Sequence, residues 1–91
     1  MSSMYQVCDL VVEKFDRLGP TVTGLTRERI VSAGGRYVGE AFRTGDLKAE
    51  WLFDHDVLVI HRGATVLRLI AVNQAISARA RAPSAGVLAV A

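Results

Sequence analysis

The chain has one cysteine, two prolines and one tryptophan among its 91 residues. A single thiol, Cys8, cannot close an internal disulfide, which predicts a reducing compartment. Its helical neighbours are Met4, Val7, Val11 and Val12, with no histidine or basic residue near it in sequence. Those surroundings predict a small core residue rather than a nucleophile. Long apolar runs are missing too. Leu69 to Ala78 and Ala82 to Ala91 are the longest uncharged stretches, well short of the roughly 20 residues a membrane span needs. Met1-Ser2-Ser3-Met4 offers no basic n-region, so no secretory signal is read there. A soluble, cytoplasmic protein is the expectation.

Acid is missing from one part of the chain. Residues 57–91 hold Arg62, Arg68, Arg79 and Arg81 and no carboxylate, whereas residues 1–56 hold seven basic and nine acidic side chains. A basic C-terminal third attracts nucleic acid or an acidic protein, or is simply solvated. The 51% apolar and 22% charged composition suits one globular domain of this length. A domain this small buries only about 60–65% of its unfolded surface, so a partner or a second copy of the chain would add stability.

What is present reads as helix first and strand later. Ser3 and Gln6 have capping-box spacing. Met4, Val7, Cys8, Val11, Phe15 and Leu18 then recur on one helical face, with an i,i+4 pair at Glu13 and Arg17. Gly19-Pro20 predicts the end of that helix, the glycine in a left-handed C′ position. Thr21 to Gly24 reads as a loop. Thr26 then reads as the N-cap of a second helix, stapled by Leu25 and Ile30, that stops at Gly34-Gly35. Over Arg36 to Arg43 a helical reading gathers Tyr37, Val38, Ala41 and Phe42 on one face, with Arg36, Glu40 and Arg43 on the other. A strand reading mixes charge and bulk on both faces, so a third helix is predicted there, with Gly45 as its C′ residue. Ala49 to Phe53 and Val57 to Ile60 read as strands, with turns at Asp54-His55-Asp56 and Arg62-Gly63. Thr65 to Val72 reads as a third strand through Ile70 or as the start of a helix, and Asn73 to Arg81 as a short helix.

The segment Arg43-Thr44-Gly45-Asp46-Leu47-Lys48-Ala49 is similar to the run that closes the recognition helix in excisionase and MerR-type helix-turn-helix proteins. That run is arginine, a small polar residue, glycine, an acid and leucine, followed by a hairpin wing. Leu25-Thr26-Arg27-Glu28-Arg29-Ile30 resembles the start of the family's first motif helix. The resemblance spans about residues 25–61. It implies an α+β winged helix-turn-helix-like domain over residues 1–81, three helices followed by a two- or three-stranded antiparallel sheet, with residues 82–91 as a tail. The function implied is DNA binding in transcription or recombination control, as a homodimer. The 36–43 helix would put Arg36, Glu40 and Arg43 in the major groove, where arginine reads guanine and a carboxylate accepts from cytosine. Arg27 and Arg29 would lie near phosphates, and Lys48 and Arg62 would flank the wing.

The alternative is a non-enzymatic protein-protein interaction module, a small inhibitor or adaptor. The acidic turn at Asp54 and Asp56 and the mixed charges of the 36–43 face favour it, because carboxylates at a wing tip repel phosphate. Other patterns are weaker. Asp54, His55, Asp56 and His61 offer metal-ligand chemistry but alternate in direction on an extended chain, and a polar turn is the simpler reading. Gly34 to Gly39 lacks the ending of a phosphate loop. Ser32, His61 and Asp46 lack a nucleophile-elbow motif. No enzyme, cofactor or metal site is expected. Tyr37, Trp51 and Phe53 are expected to pack hairpin against helix. The apolar tail Gly86 to Ala91 either adds a strand to a partner or stays disordered.

Overall fold

The computed structural model describes residues 2–19 and 24–79. The first element, α1, spans Met4–Leu18. Its capping box is present: Ser3 Oγ accepts from the Gln6 amide at 3.2 Å, and Gln6 Oε1 accepts from the Ser3 amide at 3.0 Å. These two bonds satisfy donors that the first turn would otherwise leave without partners. The helix buries Val7, Leu10, Val11 and Phe15, while Cys8 is half-buried against the same core. Glu13 and Arg17 form the i,i+4 pair at 3.5 Å. The helix end differs from expectation. Gly19 is extended rather than left-handed, and the Leu18 carbonyl accepts instead from Arg62 Nη2 at 2.6 Å.

Five strands follow: β1 (Thr26–Val31), β2 (Tyr37–Thr44), β3 (Leu47–Leu52), β4 (Val57–Arg62) and β5 (Thr65–Ala71). Each pairs antiparallel with the next, giving one meander in the order β1-β2-β3-β4-β5. A second helix, α2, occupies residues 72–79. The expected three helices before a two- or three-stranded sheet are therefore overturned: among the described residues there are two helices and five strands. The residues expected as a second and third helix are β1 and β2. The Gly34-Gly35 turn joins these two strands, with Gly35 at φ 83°. Gly45, expected to close a helix, stands at φ 56° in the two-residue loop between Thr44 and Leu47, a tight hairpin that favours a left-handed glycine. The third-strand reading of residues 65–70 corresponds to β5. The loop reading of residues 21–23, the final residues of the C-terminal helix reading and the 82–91 tail lie outside the described residues.

The register explains the sheet's two faces. On one face run two rows: Arg27, Phe42, Ala49, Ile60 and Arg68, then Arg29, Glu40, Trp51, Leu58 and Ile70. Their centres are apolar and their β1 ends are cationic. Helix α1 lies over the centres, so that Phe15, Leu10, Val7 and Val11 share one core with Phe42, Trp51, Leu58 and Ile60. Val72 of α2 is buried in that core, and Ala75 and Ile76 pack against it. Each large side chain buried here contributes about 1.5–3 kcal/mol. The helical reading of 36–43 fails for one physical reason. It assigns Glu40 to solvent, but Glu40 occupies a core-face strand position and is only 5% exposed.

Asp56 ties the end of the sheet together. Its backbone has φ 49°, its Oδ1 accepts from Trp51 Nε1 at 2.8 Å and its Oδ2 accepts from Ser2 Oγ at 3.2 Å. Its carbonyl accepts from the Val72 amide at 2.9 Å. The turn read as a wing tip thus anchors the starts of both helices.

Candidate interaction surface

The structure distributes the seven residues expected to read DNA rather than gathering them. Arg27 and Arg29 lie on edge strand β1, on the covered side, and Arg36 lies in the β1–β2 turn. Glu40 is buried on the covered face, Arg43 and Lys48 are on the opposite face, and Arg62 caps α1. Segment 36–43, expected to enter the major groove as a helix, is mostly strand β2. Most of the cations have internal acidic partners. Arg43 meets Glu28 at 2.9 Å, Lys48 meets Glu50 at 3.6 Å, Arg62 meets Asp46 at 3.6 Å, and Arg27 lies 3.9 Å from Glu40. The pairs other than Arg27 with the buried Glu40 contribute about 0–1 kcal/mol each, but all of them lower the free positive charge of the surface.

Glu40 organises a polar corner. Its Oε1 accepts a short hydrogen bond from the Tyr37 hydroxyl, and its buried Oε2 has only Arg27 nearby. The register shift at Ile30/Val31 allows Tyr37 to reach this side of the sheet. Arg29 lies over the Tyr37 ring, 5.2 Å from its centroid. Phe53 joins the corner edge-on, 4.9 Å from Tyr37 and 4.8 Å from Trp51. The hydrogen bond to Glu40 raises the Tyr37 hydroxyl above its ordinary 10.0, helped by burial and the Glu40 charge and opposed by Arg29 and Arg27. Of the three aromatics expected in the core, Trp51 is buried, Phe53 half-buried and Tyr37 43% exposed.

The other face of the sheet is the larger finding. Its rows are Ile30, Gly39, Leu52, Val57 and Ala71; then Glu28, Ala41, Glu50, Val59 and Leu69; then Thr26, Arg43, Lys48, His61 and Val66. Among the described residues no helix lies over it, since α1 and α2 both join the opposite core. Apolar side chains dominate one end and extend along β4 and β5, with Leu69 at 72% exposure. Charged groups gather at the other corner, where Glu50 joins Lys48 to His61, the latter at 2.8 Å. Sequence reasoning missed this surface, although a signal was there. Val57-Leu58-Val59-Ile60 is apolar at both strand parities, the pattern of a strand covered on both faces.

A second surface was also missed. Lys14, Arg17 and Leu18 of α1 and Arg68, Leu69 and Ile70 of β5 line a cavity of 290 Å³. Nothing in the sequence links Lys14 to Arg68; only the register brings them together. Among the described residues no group of three or more His, Cys, Asp or Glu could hold a metal ion, and no helix is long and apolar enough to cross a membrane. No known protein family, curated protein or solved structure matches the chain.

Proposed function

We propose that this chain is a non-enzymatic protein-interaction module that works through its uncovered sheet face, and that its partner is a second copy of itself. One observation carries the reading: both helices cover the same side of the sheet, while Ile30, Leu52, Val57, Val59, Leu69 and Ala71 are left on the other. An apolar sheet face is normally buried against another layer, and two such faces pack about 10 Å apart in a sandwich. The face is also suited to itself. A twofold axis through its apolar end would place the corner holding Glu28, Arg43, Lys48 and Glu50 at the rim of each partner, the usual division into apolar centre and polar edge. Five strands of about six residues give a footprint of roughly 24 by 20 Å, which fits a small, reversible interface.

Sedimentation of the full chain from micromolar to submillimolar concentration tests this reading. Wild type is expected to pass from monomer to dimer. Val59→Lys, on the apolar part of the face, is expected to stay monomeric with an unchanged circular dichroism spectrum. A wild type that remains monomeric throughout, or a Val59→Lys variant that dimerises equally well, would overturn it.

A further inference from the structure

The cavity between α1 and β5 is a separate surface with its own chemistry. Three of its six lining side chains are cations and none is an acid. Among the described residues Lys14 and Arg68 have no acidic partner. Arg17 shares Glu13 with Arg79, at 3.5 and 2.7 Å, so one carboxylate serves two guanidinium groups. Elsewhere Arg43, Lys48 and Arg62 each have a nearby carboxylate. Positive charge is therefore left over at this cavity while it is balanced on much of the rest of the sheet.

The stabilising effect of a cation in the last turn of a helix accounts for Arg17. It does not account for Arg68. Arg68 stands in a covered-face row beside Ile60, with Ile70, two residues on, opposite Leu58. The positions around it are apolar, and Leu18, Leu69 and Ile70 form the rest of the cavity wall. Cations beside an apolar wall suit a ligand with an anionic head and an apolar body. The volume of 290 Å³ lies at the lower edge of the range for small-molecule sites, roughly 300–1,000 Å³. A nucleic-acid strand fits less well, because no aromatic side chain lines the cavity to stack a base.

We infer that the α1–β5 cavity binds a small anionic amphiphile, a carboxylate or phosphate carried on a medium-length acyl chain, with Lys14, Arg17 and Arg68 holding the head and Leu18 and Ile70, which pack at the edge of the core, holding the chain. The ligand is taken free from solution rather than from a bilayer surface.

The test titrates decanoate, below its micelle concentration, into the full chain in the Leu52→Lys background, which places the disrupting charge on β3 away from β5, and follows amide shifts by NMR. Working in this background separates the result from self-association. Saturable shifts confined to residues of the cavity wall are expected. Arg68→Gln and Lys14→Gln should each weaken binding about tenfold, the effect of losing one charge-assisted hydrogen bond. Decanol should bind at least tenfold more weakly than decanoate, and sulfate should shift the same amides only at far higher concentration. Equal binding of decanol and decanoate, equal binding of sulfate and decanoate, or wild-type affinity in both variants would each overturn the inference. So would sedimentation with anionic lipid vesicles in the absence of any decanoate shift.

Discussion

The two faces of the same five-stranded sheet solve different problems. The covered face concentrates Phe42, Ala49, Trp51, Leu58 and Ile60 under α1, with arginines at the strand edges. The opposite face carries comparable aliphatic residues at one end but has no helix over them, and its charged groups pair among themselves at the other. The covered side shows how a small domain gains its stability. The uncovered side shows that apolar content alone does not identify a core residue. Val59 and Leu58 are adjacent in sequence and both aliphatic, yet only Leu58 is fully buried.

Three experiments sharpen this contrast, and the largest effect belongs to the covered face. Phe42→Ala should cost about 3–5 kcal/mol in urea unfolding, because a fully buried ring leaves a cavity, whereas Val59→Ala in the monomer should cost about 1 kcal/mol or less. Equal costs would show that the faces are energetically alike. The second effect falls on the uncovered side, at a sterically closed position. A Cβ on Gly39 would stand 2.4 Å from the Trp51 carbonyl oxygen, so Gly39→Ala must displace β2 from β3. The expected cost is about 1–3 kcal/mol in the same assay, with the pairing of Gly39 to Leu52 disturbed in amide exchange.

The smallest effect is the alkaline titration of Tyr37. Its folded value lies above 10.0, so the native state holds the neutral hydroxyl. The stability this contributes is fully present below the unfolded value and is lost as pH rises through the folded one. Absorbance titration should show one tyrosine ionising later than an ordinary one, and Glu40→Gln should move it back toward the ordinary range. A Tyr37 that titrates normally in the wild type would show that the bond to Glu40 does not persist in solution.

Local rules made α1 legible, because its cap, apolar stripe and ion pair all depend on residues three or four apart. Turns at Gly34-Gly35 and Asp54 to Asp56 were legible for the same reason, as was the strand character of Val57 to Ile60. Residues 26–33 read as a helix from a cap and a staple, both local signals, and residues 36–43 because periodicity is judged by charge; they hold β1 and most of β2. Arg27 and Arg29 are cations at an open sheet edge, and Glu40 is a carboxylate in a core position satisfied by Tyr37. In such strands polar residues do not mark the solvent side. The groove cations were invisible as a group, since Arg68 reaches Lys14 and Arg17 only after the meander has formed.

The meander also sets an order of assembly on the ribosome. Every strand pairs with its neighbour in sequence, so each hairpin can close soon after its second strand emerges. Helix α1 is synthesised before all of them, yet its apolar stripe rests on side chains of β2, β3 and β4, and its last carbonyl waits for Arg62, 44 residues later. The first element made is thus sealed only after the first four strands have emerged. During that interval Leu10, Val11 and Phe15 form an exposed amphipathic helix that a nascent-chain chaperone could hold.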